Sequence, residues 1–272
     1  MGSTYCRIAR GGKFPAMNAI NHFRQRLAQG ETCIGASVSF SDPRVTDALA
    51  DSVDFLWIDL EHSFMSPETL SAHLLAARGR NKPGLVRVTG SSTPFIKPVL
   101  DMGADGIIVP QVRSVEEVQQ IVNDCRYPPM GRRGFGPRVP TNYGRDETFA
   151  YIERANRDLF VAVQIETAEA LAAVEEIVTI PGLDSLVIGP MDLSGSLGRL
   201  GDVEHPTIVA AIERVVKVAR AAGLSVGAGM GTDPAYAAKM AQRGVQWLQV
   251  GSDFGYMIES LDRISAGIRA RI

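Results

Sequence analysis

The chain has 272 residues, of which 45% are hydrophobic, 21% charged and 7% aromatic, a composition that supports a folded core and excludes a disordered polypeptide. Its 28 basic and 30 acidic residues leave a net charge of −2, so no large positive field recruits nucleic acid or anionic lipid, and neither partner is expected. No apolar run suits a secretory signal or a membrane span, and Cys6, Cys33 and Cys125 form neither a CxxC pair nor an even-numbered disulfide framework; the expected location is the cytoplasm.

Residues 1–16 read as an N-terminal arm and residues 17–272 as a single domain. The segment MNAINHFRQRLAQG at 17–30 predicts a helix ahead of the first strand, placed to plug the mouth of a barrel. Apolar or β-branched runs then recur at 32–40, 54–59, 84–88, 106–110, 159–166, 185–189, 224–229 and 245–251, separated by amphipathic stretches such as PETLSAHLLAARGR, AEALAAVEEIVTI and TIVAAIERVVKVARAAG. Eight βα units in about 250 residues predict a closed (β/α)8 TIM barrel of the α/β class rather than an open doubly wound sheet. Neither a dinucleotide fingerprint after the first strand nor a Walker-type loop is present. One segment breaks the rhythm: residues 127–146, YPPMGRRGFGPRVPTNYGRD, are rich in Gly, Pro and Arg and long for a connection. A functional loop is expected there. Its Arg132, Arg133, Arg138 and Arg145 suit an anionic substrate tail, a subunit contact, a lid or a solvated face, with contact or lid favoured.

Catalytic groups of such barrels gather at the C-terminal ends of the strands. The second run ends in Asp59-Leu60-Glu61-His62, the third carries Arg87, the fifth ends Gln164-Ile165-Glu166-Thr167, and the sixth leads into Gly189-Pro190-Met191-Asp192-Leu193-Ser194. His62 and Arg87 are 25 residues apart and Glu166 and Asp192 are 26 apart, about one βα unit each, which puts each pair on neighbouring strands. Two carboxylates on adjacent strand ends with Gln164 nearby suit a hard cation such as Mg²⁺ or Mn²⁺; the ordinary alternative is that each caps the helix after it. His62 beside Asp59, which can orient its ring, fits a general acid/base. Arg87 can stabilise an oxyanion, grip a carboxylate, or pair with Asp59 or Glu61. His22, His73 and His205 fall in helices or at their starts, against a histidine-rich zinc site. None of Lys13, Lys82, Lys97, Lys217 and Lys239 falls at a strand end, against a lysine Schiff base. Glycines at 227–231 and 251 occupy positions where such barrels hold phosphate, and serve tight turns equally well.

The segments FLWIDLEH, VR at 86–87, GRRGFGP, VQIET and IGPMDLS, in this order, resemble the HpcH/HpaI aldolase family of metal-dependent pyruvate aldolases in the phosphoenolpyruvate/pyruvate barrel superfamily. The resemblance covers residues 30–260 and rests most on QIET together with GPMDLS. It implies that Glu166 and Asp192 bind a divalent cation (Mg²⁺, Mn²⁺ or Co²⁺). It also implies that Gln164 and the turn of Gly189, Met191 and Asp192 hold pyruvate, that His62 is the base, and that Arg87 stabilises the transition-state oxyanion. The family pattern further points to Asp101, in VLDMGADG, as a residue raising the basicity of the histidine. Asp101 falls at the far end of a helix, on the rim opposite His62, so it is expected to serve a neighbouring chain. That agrees with the helix-exchanged homo-oligomer, trimer or hexamer, implied by the resemblance. Leu60 stands where one version of the pattern has Gly, and Met191 where a smaller residue is common; both bear on the acceptor aldehyde more than on the chemistry. The expected reaction is cleavage of a 4-hydroxy-2-oxo acid to pyruvate and an aldehyde, and the reverse addition. The alternatives are a CoA-thioester lyase of the citrate lyase β type and a catalytically silent barrel used for assembly.

Overall fold

A computed structural model describes residues 19–272; the expected arm at residues 1–16 lies outside the described residues. In chain order the elements are α1 (Ala19–Ala28), β1 (Cys33–Val38), α2 (Pro43–Leu49), β2 (Phe55–Asp59), α3 (Pro67–Gly79), β3 (Gly84–Arg87), α4 (Thr93–Asp101), β4 (Gly106–Val109), α5 (Val115–Cys125), α6 (Thr148–Asp158) and β5 (Phe160–Ile165). There follow α7 (Ala168–Ala172), α8 (Val174–Ile177), β6 (Ser185–Ile188), α9 (Pro190–Ser196), α10 (Pro206–Ala221), β7 (Ser225–Met230), α11 (Pro234–Gln242), β8 (Trp247–Ser252) and α12 (Asp253–Arg269).

All eight expected strands are present, parallel, and joined in the order β1 to β8 into a closed barrel. They read as nearly continuous apolar runs because both faces are covered, by the barrel interior on one side and by helices on the other. Along β2 the alternation is visible: Phe55 and Trp57 join the interior cluster, whereas Ile58 packs in the outer layer under the helices. The register sets Asp59 opposite Arg87 on β3, which brings two of the expected site residues together.

Helix α1 closes the N-terminal mouth as expected. Its Ile20, Phe23 and Leu27 are buried, and the Phe23 ring meets Phe55, Phe160 and Trp247 edge-on at 5.4, 5.6 and 6.3 Å. Arg24 on the same helix donates to Asp184 at 2.9 Å, and Arg126 donates to the other oxygen of Asp184 at 2.9 Å, so the plug is fastened to the strand starts by a closed ion-pair network.

Two features differ from the sequence reading. The helix expected across 168–180 is divided into α7 and α8 at Ala173, where φ −96° and ψ 8° leave the helical basin. The loop 127–146 does not lie over its own catalytic rim. Helix α5 runs antiparallel to β4 and delivers the loop to the N-terminal rim, where α6, not anticipated from sequence, leads into β5. Of its arginines, Arg133 is buried, donates to Asp101 at 2.8 Å and stacks on Tyr127 at 4.6 Å, while Arg132 pairs with Asp124 at 2.7 Å.

Helix α12 buries only Asp253. Met257, Ile258, Leu261, Ile264 and Ile268 form an exposed apolar stripe along it. Beside it, Ile34, Ala237, Ala241, Leu248 and Val250 line a groove of about 530 Å³ between α11 and the outer surface of β1 and β8. Among the described residues no helix is long and apolar enough to cross a membrane.

Candidate active site

The C-terminal rim is built from the ends of β2, β3, β5 and β6. Asp59 accepts two hydrogen bonds from Arg87, from Nε at 2.9 Å and Nη2 at 2.7 Å, a bidentate pairing that fixes the guanidinium plane. The remaining Arg87 nitrogen, Nη1, lies 3.1 Å from Glu61 Oε2, and the guanidinium sits 5.4 Å above the Trp57 ring. Trp57 therefore floors the site. Burial works against the Arg87 charge, but Asp59, Glu61 and Glu166 outweigh it and hold its pKa above the ordinary value.

The expectation that Asp59 orients the His62 ring is corrected. Besides Arg87, the Asp59 carboxylate accepts from the backbone N–H groups of Glu61 at 3.0 Å and His62 at 3.5 Å, so it shapes the turn and holds the arginine. The register with β3 decides this, because it sets the arginine directly across the strand pair. The His62 side chain is 67% exposed, and the carboxylate beside its Nε2 is Glu61, at 3.7 Å. Burial pushes the Glu61 carboxyl up, and Arg87 and then His62 oppose that.

On the other side of the rim Glu166 is 2% exposed. Its Oε1 accepts from the backbone N–H of Gln111 at 2.8 Å and its Oε2 from Gln164 Nε2 at 2.6 Å. Burial, with Asp192 and Glu61 adding to it, pushes its carboxyl up to about 7 against the Gln111 bond. The capping alternative fails for Glu166: Thr167 caps α7, accepting from Ala170 N–H at 3.0 Å. Asp192 stands exposed in the first turn of α9 with no side-chain cap on that helix. Gly189 is required by Glu166, since a Cβ there would lie 2.3 Å from Glu166 Oε2. Gln111 has φ 56°, a left-handed conformation rare for a residue with a side chain, and this aims its N–H at Glu166.

A divalent cation fits these residues. Glu166 and Asp192 are two hard oxygen donors whose mutual repulsion a cation would relieve, and Gln164 Oε1 is buried with no hydrogen-bond partner, an exception that calls for a ligand or water. The donor set stays at two carboxylates: among the described residues no group of three or more His, Cys, Asp or Glu gathers as a metal site.

The other candidates sort out by placement. His73 is buried with Nδ1 2.7 Å from Thr46 Oγ1, and His205 caps α10 by accepting from Thr207 N–H at 3.2 Å. Lys82, Lys97 and Lys239 bind Val53 O, Asp101 and Glu204, all away from the strand ends; Lys13 lies outside the described residues. Gly227 makes room for the Trp247 indole, which a Cβ would meet at 2.1 Å, and Asp253 takes the N–H groups of Ser39 and Phe40 at 2.8 Å each. Of the expected phosphate cradle, Gly227 thus serves packing and Asp253 ties β1 to β8, while Gly231 has open space beside it. Asp101 ends α4, on the N-terminal rim as expected, where it binds Arg133 and Lys97. Sequence reasoning gave no role to the Gln111 amide or to Glu61 as the neighbour of the His62 ring. The first has no residue-type signal, while the second was readable from the two-residue period that puts Asp59 and Glu61 on one side.

The model of the HpcH/HpaI aldolase/citrate lyase family matches residues 38–260. The chain belongs to this family. A 2-keto-3-deoxy-L-rhamnonate aldolase from Klebsiella pneumoniae is 36% identical over 252 residues, covering 91% of this chain and 93% of that one. A hydroxypyruvate/pyruvate aldolase from Roseobacter denitrificans is 32% identical over 248 residues, covering 91% and 96%. Among solved structures, an HpcH/HpaI aldolase from Desulfitobacterium hafniense superposes with a TM-score of 0.85 at 26% identity, covering 90% of this chain and 96% of that one.

Proposed function

We propose that this family member is a divalent-metal-dependent class II aldolase that cleaves a 4-hydroxy-2-oxo acid to pyruvate and an aldehyde, and catalyses the reverse addition. The observation that carries the reading is the set of oxygens at the rim that no protein cation closes: Glu166 pushed up to about 7, Asp192 beside it, and Gln164 Oε1 buried without a partner, all near an Arg87 held rigidly by Asp59. The named relatives act on a 2-keto-3-deoxy sugar acid and on pyruvate or hydroxypyruvate, which is the same substrate class.

Glu166 and Asp192 would hold the cation, Mg²⁺, Mn²⁺ or Co²⁺, which when bound would supply positive charge against the negative charge that develops on pyruvate. Gln164 and the turn of Gly189, Met191 and Asp192 orient pyruvate. Arg87, its guanidinium preorganised by Asp59, shares the negative charge that develops on the oxygen. His62 removes the proton from the 4-hydroxyl in cleavage and returns it in addition. Asp101, placed on the opposite rim, contributes in the site of a neighbouring chain. The apolar stripe of α12 and the groove beside α11 support a homo-oligomer, trimer or hexamer, in which a second copy covers both. A location in the cytoplasm completes this reading.

Chelator-treated protein resupplied with Mg²⁺, Mn²⁺ or Co²⁺ is expected to release pyruvate from a panel of 2-keto-3-deoxy acids, with loss of release in His62→Ala. Metal-independent release, or full turnover by His62→Ala, would overturn the mechanism. Mixed oligomers of Asp101→Asn and His62→Ala chains are expected to regain activity that neither parent has.

A further inference from the structure

The His62 ring projects into solvent from a turn whose backbone is well fixed. The His62 backbone N–H points at Asp59 Oδ1, and the next residue, Ser63, donates its hydroxyl to Asp59 O at 2.5 Å. Nothing in that turn holds the ring. The one charged group within ion-pair distance of it among the described residues is Glu61, whose Oε2 lies 3.7 Å from His62 Nε2 and 3.1 Å from Arg87 Nη1. A single carboxylate oxygen thus faces both the base and the oxyanion-stabilising cation. It is held there from one side only: Arg87 is clamped by Asp59, and Glu61 is clamped by Arg87.

We propose that Glu61 is the positioning residue of the site, holding the His62 ring beside Arg87 and stabilising the positive charge the ring takes on when it accepts the substrate proton. The assignment rests on the aldolase reading for its chemistry and on the contacts alone for its geometry. The groups facing Glu61 are Arg87, His62, Asp59 and Asp192, with Glu166 on the far side of the guanidinium. Arg87 Nη1, 3.1 Å away, fixes the carboxylate in place beside the ring. The carboxylate and the ring lie within ion-pair distance, 3.7 Å from Glu61 Oε2 to His62 Nε2. Asp59 cannot substitute, because both of its oxygens are engaged with Arg87 and the turn N–H groups.

Glu61→Gln keeps the size and one acceptor oxygen while removing the charge. Two readouts separate the contact from the chemistry. The first needs no turnover: carbethoxylation of His62 by diethyl pyrocarbonate, which attacks the neutral ring, followed by peptide mass spectrometry at slightly acidic pH. Glu61→Gln is expected to speed modification of His62 roughly threefold or more and to leave the rate at exposed His22 unchanged. An unchanged His62 rate overturns the proposal. The second is kcat/KM against pH at saturating metal. Glu61→Gln is expected to lower the plateau about tenfold, and to have no further effect in a His62→Ala background. If Glu61→Gln costs as much with His62 absent as with it present, Glu61 acts through Arg87 alone and the proposal fails. Faster modification in a protein without metal-dependent turnover upholds the contact and removes the aldolase reading instead.

Discussion

The two rims of this barrel treat their charged residues in opposite ways. At the N-terminal rim Asp184 is shared by Arg24 and Arg126, Asp101 is gripped by Arg133 and Lys97, and an aromatic cluster around Phe23 seals the space between them. At the C-terminal rim, Glu166, Asp192 and Glu61 crowd together with one cation, Arg87, which is already committed to Asp59. Excess negative charge in a desolvated place is costly, and a fold that pairs Asp184 and Asp101 with cations at one end could pair its carboxylates at the other. Charges left open are the mark of a site that expects a ligand, whereas charges closed in pairs are the mark of a joint.

That contrast can be broken in order of consequence. Glu166→Gln or Asp192→Asn is expected to reduce metal-dependent turnover by about a thousandfold and weaken Mn²⁺ binding in titration calorimetry, with the thermal unfolding midpoint held or raised, since a repelling charge is gone. A large loss of stability without loss of metal affinity would mean that the upper rim is a joint as well. Phe23→Ala at the lower rim should show the reverse pattern. Loss of the plug ring is expected to cost about 3–5 kcal/mol in denaturant unfolding with the kinetics of folded protein little changed.

Asp105, below β4, sharpens the comparison because it is a lower-rim carboxylate that forms no ion pair within 4 Å among the described residues. Burial pushes its carboxyl up to about 6, opposed by the Gly84 N–H bond and by Arg78. With its native value raised above the unfolded one, the native state binds more protons, so stability is fully present below about pH 4 and falls as pH rises toward 6. Asp105→Asn, which keeps an acceptor for the Gly84 N–H, is expected to remove this slope and raise stability near pH 7 by up to about 3 kcal/mol. Denaturant midpoints at pH 4.5 and 7 for both proteins check it. The smallest effect is at Gln111. Gln111→Gly relieves the left-handed φ of 56° and retains the N–H donated to Glu166, so stability should change by less than about 1 kcal/mol and turnover should persist. Gln111→Pro removes the donor and should impair both.

The barrel was legible because strands buried on both faces leave apolar runs, and all eight registered in the sequence. Helix α6 was not, since its residues Thr148–Asp158 carry several polar side chains and follow directly on a loop rich in Gly and Pro. The site was legible as residue types at strand ends and in the pairing of Arg87 with Asp59 and Glu61, but not in the partner of His62. Sequence adjacency suggested Asp59 with His62, whereas the register across β2 and β3 gave Asp59 to Arg87 and left Glu61 with the histidine. The direction taken by the 127–146 loop depended on the antiparallel run of α5, which composition does not encode. The unpaired stripe of α12, by contrast, stands plainly in the sequence as Met257, Ile258, Leu261, Ile264 and Ile268 at helical spacing.

The central claim is that the open charges of the C-terminal rim form a site that removes a proton from pyruvate with a divalent cation bound. Deuterium exchange into the pyruvate methyl group, followed by proton NMR in chelator-treated protein with and without Mn²⁺, tests it with no knowledge of the aldehyde. Exchange that requires the metal and disappears in Asp192→Asn is the predicted result. Absence of exchange with Mg²⁺, Mn²⁺ and Co²⁺ alike, in protein shown by calorimetry to bind the metal, would contradict it.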